Sequence, residues 1–193
     1  MKRIALLIML GLFVAAPGLV LAQTENHVEF GPFADYFRLD KTNVTNFVGV
    51  GGRIGFYLNP YASVEAEMAY DFARNNTFTT SNGVTTSFTT TGLRPLTGLF
   101  GPKLQFGKGK FDVFATGKVG FQNFSTTCKN CVGFGGAVSN VTTGDTHFAL
   151  YPGVGIEGFW GGFGLRADVG DQIYFLNGAQ HNLRVTFGPQ FRF

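Results

Sequence analysis

The sequence predicts an all-β protein: an eight-stranded antiparallel up-and-down barrel that crosses a membrane with its strands, preceded by a cleaved signal peptide. Three observations carry this. Apolar and polar residues alternate with period two along most of the chain, the mark of strands with two unlike faces. Hydrophobic residues are 45% of the chain and charged ones only 14%, where a globular chain averages about 25% charged. On the apolar faces of the second to eighth strands no charge occurs until Asp171. A lipid-facing band demands this, since Arg or Lys at a bilayer midplane costs about 2 to 4 kcal/mol.

The composition excludes several alternatives. With 23 Phe, one Trp and 28 Gly among 193 residues, the apolar content favours strands over helix bundles. A chain so apolar and weakly charged does not stay disordered. Two Cys are too few for a disulfide-stapled scaffold. The net charge of +3 comes from 15 basic and 12 acidic residues without a basic cluster, which argues against nucleic acid as a partner. The length suits one domain.

The N-terminus reads as a secretory signal peptide over residues 1–22. Lys2 and Arg3 form a positive n-region, residues 4–14 an apolar h-region, and Val20, Leu21 and Ala22 a small-residue cleavage site. The alternative, a membrane anchor, suits the short run and its Pro17 and Gly18 poorly. Removing Lys2 and Arg3 leaves residues 23–193 nearly neutral, with no apolar run long enough for a spanning helix.

The strands follow in order. Residues 28–39 form a less regular first strand. In 46–58, Val48, Val50, Ile54, Phe56 and Leu58 share one face, with Gly49, Gly51, Arg53 and Gly55 on the other. After an Asn59-Pro60 turn, Ala62, Val64, Ala66, Met68, Tyr70 and Phe72 alternate with Ser63, Glu65, Glu67 and Asp71. Leu96, Phe100, Leu104 and Phe106 oppose Thr97, Lys103 and Gln105. Past the turn at 107–110, Phe111, Val113, Ala115, Val119 and Phe121 oppose Asp112, Thr116, Lys118 and Gln122. Phe148, Leu150, Val154 and Ile156 oppose Tyr151 and Glu157. After Gly161-Gly162, Phe163, Leu165, Ala167 and Val169 oppose Arg166 and Asp168. Last, Leu183, Val185, Phe187, Phe191 and Phe193 oppose Arg184, Thr186, Gln190 and Arg192.

A soluble barrel would turn the apolar faces inward and cover its outside with mixed charge. Here the polar faces are Gly-rich with isolated charges, which suits apolar-out, polar-in alternation. Loop lengths agree: connections near Asn59, Gly109 and Gly161 are short, as periplasmic turns are. On the other side lie connections near 41–45, 74–92, 125–145 and 177–182, two of them long and rich in Thr, Asn, Ser and Gly. Two features fit poorly. Pro102, Pro152 and Pro189 fall within strands on the apolar face, where bulges or strand ends must accommodate them. Asp171 breaks the apolar parity unless its strand has reached the interface or slips at Gly170.

These strands, the leader and the ending Phe187-Gly188-Pro189-Gln190-Phe191-Arg192-Phe193 resemble the small eight-stranded outer-membrane β-barrels, the group of the OmpA transmembrane domain and the OmpX/Ail-type proteins. The resemblance covers the whole mature chain and implies a location in the bacterial outer membrane. Phe187, Phe191 and the terminal Phe193 look like the signal that such barrels present to the outer-membrane insertion machinery. A lone barrel, without the peptidoglycan-binding domain of full-length OmpA-like proteins, is implied.

The polar faces place eight acids, Glu29, Asp35, Glu65, Glu67, Asp71, Asp112, Glu157 and Asp168, in the lumen with six bases, Arg53, Lys103, Lys118, Arg166, Arg184 and Arg192. An eight-stranded interior is just wide enough for side chains to fill. Buried charges must pair, so the expected lumen is a plug of salt bridges; the alternative is a narrow or gated ion path.

Catalysis would require a nucleophile beside a base. His27, His147 and His181 lack the His-x-Ser spacing of the lipid-deacylating barrels, so no enzyme and no cofactor or metal is expected, with a lipid-modifying activity kept as a second alternative. His147 and His181 could meet at the rim with Asp145, but two surface histidines are the simpler expectation. Cys128 and Cys131 form a Cys-x-x-Cys without a second pair; in an oxidising compartment a local disulfide pinching the third long loop is expected, with free thiols as the alternative. Function is then expected in the loops 75–91 and 125–144, contacting an external surface ligand or lipopolysaccharide, beside the membrane lipids themselves.

Overall fold

The structure is a computed structural model that describes residues 27–40, 45–81, 86–107, 110–132 and 138–193, with side chains described except at 45, 75–91 and 126–143. The leader expected at 1–22 lies outside the described residues. The strands are β1 (Val28–Leu39), β2 (Thr45–Asn59), β3 (Ala62–Asp71), β4 (Arg74–Ser81), β5 (Thr86–Phe106), β6 (Phe111–Val132), β7 (Val138–Trp160), β8 (Phe163–Asp171), β9 (Ile173–Phe175), β10 (Ala179–Gln180) and β11 (Leu183–Arg192). Eight of them close a barrel: β1, β2, β3, β5, β6, β7, β8 and β11 each pair with the next, and β11 pairs back with β1. Every pairing is antiparallel, so the meander expected from the alternation is present.

At one end the connections are tight. The Asn59 side chain accepts the Tyr61 amide at 2.9 Å, an Asx turn over Pro60. Gly161 takes φ 70° between β7 and β8, a conformation that favours glycine. The other end departs from expectation. The long connections at 74–92 and 125–145 are largely strand: β4 pairs with the first residues of β5, from Arg74 opposite Leu93 to Ser81 opposite Thr86. Strands β6 and β7 stay paired out to Val132 opposite Val138, with an irregularity between Cys128 and Cys131. Thr-rich runs are strand formers when a partner strand is available. At 177–182, Asn177 and Gly178 have positive φ of 51° and 115° and turn β9 into β10, the Asn-Gly hairpin pairing.

The barrel is inside out. Phe56, Met68, Phe100, Val113, Val154, Ile156 and Phe187 are exposed on its outer wall, whereas Glu29, Asp35, Lys103, Lys118, Arg166 and Arg184 are buried within. The expected parity holds in every barrel strand.

The three prolines need no bulge. The β5–β6 ladder runs to Phe100 opposite Val119 and resumes in the same register at Lys103 opposite Thr116. Pro102 keeps Val64 as its neighbour on the other side, and the Thr116 hydroxyl donates to the Pro102 carbonyl at 3.0 Å. Pro152 keeps Gly117, and Pro189 keeps Leu165. Each proline thus interrupts the ladder on one side only. Asp171 is the last residue of β8, and Gln172 and Tyr174 beyond it remain buried in step with Asp168. The strand has reached the rim and does not slip at Gly170.

Part of the Gly and Phe content is linked. Phe33 faces Gly51, Phe114 faces Gly155, Phe159 faces Gly164, Phe121 faces Gly98 and Phe111 faces Gly158, each directly across a strand pair. The ring lies over the bare backbone: a Cβ at Gly51 would fall 2.4 Å from the Phe33 ring, and one at Gly98 2.5 Å from that of Phe121. Aromatic cover of strand glycines fills the space their missing side chains leave.

Candidate functional site

The lumen holds the charged constellation. Period-two geometry turns Glu65, Glu67 and Asp71 of β3 inward with Lys103 of β5, Asp112 and Lys118 of β6, Glu157 of β7, Arg166 and Asp168 of β8, and Arg184 and Arg192 of β11. Arg53 of β2 and Glu29 and Asp35 of β1 complete it. All are buried except Arg192, which is half-buried.

Near the tight turns, Lys103 Nζ donates to Glu29 at 2.8 Å and to Glu157 at 3.1 Å. Arg192 pairs with Glu29, lies 3.3 Å from Glu157 and donates to the Tyr57 hydroxyl at 2.6 Å, and that hydroxyl donates to Glu29. Gln190 donates to Glu29 at 2.8 Å and Gln105 donates to Glu157. Asp112 is buried beside Gly107.

At mid-height Glu65 and Glu67 each meet three cations. Glu65 pairs with Arg166, with Lys118 at 2.9 Å and with Lys103 at 3.4 Å. Glu67 pairs with Lys118 at 2.6 Å, Arg184 at 2.7 Å and Arg53 at 3.7 Å. Asp168 closes the ring, accepting from Arg53 at 2.9 Å, Arg166 at 3.2 Å and the Tyr151 hydroxyl at 2.9 Å. Arg184 Nε also meets Asp35 at 2.9 Å. Because Lys103 touches both the lower acids and Glu65, and Arg184 both Glu67 and Asp35, the layers form one connected network. Asp71 stands apart: both carboxylate oxygens are buried without a hydrogen-bond partner among the described residues.

Aromatic side chains form the part of the lumen that the polar-face reading missed. The Arg53 guanidinium lies 4.5 Å from the Phe33 ring centre and that of Arg166 4.1 Å from Phe114, and cation–π attraction strengthens when desolvated. Towards the hairpin end, Gln172 donates to Thr97 at 3.1 Å and to Gln122, and Thr97 donates to Gln122 at 2.7 Å. Beside them Leu99, Ala149, Tyr151 and Tyr174 cluster, and Phe37 packs on Phe47 with ring centres 6.2 Å apart. The available signal was parity alone: each of these residues shares the face of a predicted lumen charge.

The remaining candidates are separate. Phe187 and Phe193 are exposed on the outer wall and Phe191 packs on Phe163 at 5.6 Å. The Phe193 amide donates to the Val28 carbonyl at 2.9 Å, tying the C-terminus into β1. Cys128 and Cys131 belong to β6 rather than to a loop, and their side chains, hence the disulfide expectation, lie outside those described. His147 and His181 do not meet at the rim. His147 lies with Phe124 and Tyr174, and the exposed His181 pairs with Asp171. Among the described residues no three His, Cys, Asp or Glu side chains come together as metal ligands.

A closed barrel with an apolar outer wall and an ion-paired interior is built to stand in a membrane. The chain belongs to the outer membrane protein beta-barrel domain family, whose model matches residues 4–191, and its place is the bacterial outer membrane. No protein among the curated sequences matches it. Solved structures share its fold at low identity. Ail, the attachment invasion locus protein of Yersinia pestis, solved with the heparin analogue sucrose octasulfate, is 13% identical with a TM-score of 0.60, over 88% of this chain and 100% of that one. Neisserial surface protein A is 11% identical with a TM-score of 0.59, over 86% and 97%. The N-terminal β-barrel domain of Pseudomonas aeruginosa OprF is 17% identical with a TM-score of 0.53, over 89% and 100%.

Proposed function

We propose that this chain is a structural outer-membrane protein whose β4–β5 and β6–β7 hairpins meet surfaces outside the cell, while its lumen is plugged by its own side chains. The observation that carries the reading is strand length. β6 and β7 run for 22 and 23 residues against 9 for β8, so two stiff hairpins stand on a rigid base, where binding residues commonly sit. Their composition narrows the partner. Residues 75–91 carry no charge and 125–144 only Lys129, among many Thr, Ser and Asn. Such hairpins suit hydrogen bonding to neutral, hydroxyl-rich surfaces such as uncharged glycans, a different chemistry from the sulfated ligand held by Ail.

The ion pairing of twelve of the fourteen lumen charges with one another supports the plug. Residues 1–22 serve as the export leader and 23–193 as the barrel, with Phe187, Phe191 and Phe193 as the mark for the insertion machinery. The test is deletion of 76–90 and, separately, of the β6–β7 tip, with cells scored for binding to glycan-coated surfaces. Binding is expected to fall while the barrel still shows heat-modifiable gel migration; binding undiminished in both deletions overturns the reading. Planar bilayers containing the intact protein should stay silent, and steady single-channel currents overturn the plug.

A further inference from the structure

We propose that the outward-opening mouth of the barrel, at the base of the β6–β7 hairpin, is a stacking site for a neutral pyranose ring, built from Phe124, His147, Tyr174 and Asp145. The site rests on the hairpin reading and names the part of a glycan that the barrel itself holds.

Period-two geometry puts these residues on one face. Gln122 of β6 stands opposite His147 of β7, and Phe124 opposite Asp145, in unbroken register. All four share the inward parity of Lys118 and Tyr151 on the same strands. Burial falls along that face: Gln122 is buried, Phe124 and His147 are half-buried, and Asp145 is exposed. The lumen therefore opens to solvent within two residues of strand. Tyr174 enters from β9, its ring centre 5.0 Å from that of Phe124 and 5.9 Å from that of His147, while Phe124 and His147 are 6.2 Å apart. Tyr174 belongs to the buried cluster against which Phe124 packs, so the rings stand on a firm base.

Polar capacity is left open at this level. Deeper in the lumen all six cations are ion-paired. At the mouth, by contrast, neither the Asp145 carboxylate nor the His147 ring has a hydrogen-bond or ionic partner among the described residues. Beside them Gln122 Oε1 accepts from Thr97 at 2.7 Å and from Gln172. That leaves Gln122 Nε2 without an acceptor and Gln172 Oε1 without a donor among the described residues. Buried polar groups are rarely left so. One free donor and one free acceptor on two bonded amides are the complement of a hydroxyl, which does both.

A pyranose ring fits this set. Its C–H face is apolar and lies flat on aromatic rings, and its rim of hydroxyls donates and accepts. A carboxylate placed like that of Asp145 takes hydroxyl protons in charge-assisted hydrogen bonds. The sign of the charge selects the sugar. Among the described residues no Lys or Arg pairs with Asp145 or lies over the Phe124 ring, so Asp145 repels uronic, sialic and sulfated sugars. Apolar walls with a few placed polar groups are the usual make-up of a small-ligand site.

The experiment uses the whole protein refolded into nanodiscs and applied to a printed array of neutral oligosaccharides, each beside its sialylated or sulfated form. Wild type should be retained on the neutral spots in preference to the acidic ones. Phe124→Leu, which keeps apolar bulk but removes the ring, and Asp145→Asn should each weaken that retention about tenfold. Asp145→Asn should also narrow the preference over acidic forms, which a loss of packing does not do. Phe148→Leu, exposed on the outer wall of the same strand against Phe175, should change nothing, and heat-modifiable migration should be the same in all three. Retention undiminished by both Phe124→Leu and Asp145→Asn, or wild-type preference for the acidic forms, overturns the proposal. Where the hairpin deletions abolish retention and the mouth variants do not, the hairpin reading stands and the mouth site falls; absence of wild-type retention on every neutral spot overturns both.

Discussion

Glu67 and Asp71 lie on the same inward face of β3 with opposite fortunes. Glu67 meets Lys118, Arg184 and Arg53, whereas Asp71 is buried without a hydrogen bond among the described residues. Removing the Glu67 charge strips three cations of one partner each, although each keeps another acid. Glu67→Gln should therefore lower unfolding stability in urea by about 2 kcal/mol. Asp71→Asn removes an unpaired buried charge and should leave stability unchanged or raise it by about 1 kcal/mol. Equal losses in the two variants would show that burial, not pairing, governs the site. Glycine offers a second contrast. A methyl at Gly51 meets the Phe33 ring and the Met68 carbonyl inside the barrel, where nothing can yield; Gly51→Ala should cost about 1 to 3 kcal/mol. At Gly98 its nearest contacts are with the Phe121 ring on the lipid side, which can swing outward. Gly98→Ala should cost less than about 1 kcal/mol in the same urea titration.

At the scale of elements, strands outlast the membrane. The β6–β7 pair continues through Gln122 opposite His147, Ser125 opposite Gly144 and Cys128 opposite Val141. Amides of those segments should then exchange slowly with deuterium in water, as ladder amides do and loop amides do not. Rapid exchange from Ser125 onwards would return the segment to a loop. The connection was misread from sequence for a physical reason. Thr, Ser, Asn and Gly without apolar alternation look like loop, because alternation reports a buried face, and a ribbon standing in water has none. The short barrel strands were legible for the converse reason, each separating lipid from lumen. The seam between β1 and β11 shows another element-scale effect: the ladder passes from Phe30 opposite Phe191 to Ala34 opposite Phe187, with Pro32 and Pro189 in the gap.

For the whole molecule, closure turns the list of inward charges into a network. Lys103 and Glu29 are far apart in sequence and 2.8 Å apart in space, and Arg184 reaches Glu67 across the lumen at 2.7 Å. The network ties β1, β2, β3, β5, β6, β7, β8 and β11 together, so its loss should loosen the barrel as one unit rather than strand by strand. Removal of Phe193, whose backbone bonds to His27 and Val28 close the β1–β11 seam, should slow refolding into lipid vesicles, followed by the shift in gel migration. Refolding at the wild-type rate would confine the residue's part to recognition during insertion.

Alternation by itself determined the barrel, its strand number and the side that every lumen charge takes, because period-two geometry leaves a strand residue only two directions. The expectation of a leader and the Phe-rich ending also rest on local pattern. Tertiary structure alone decided which acid meets which base, and that Asp71 meets none among the described residues. Those facts depend on register and closure, which set distances between strands remote in sequence, and no local pattern contains them.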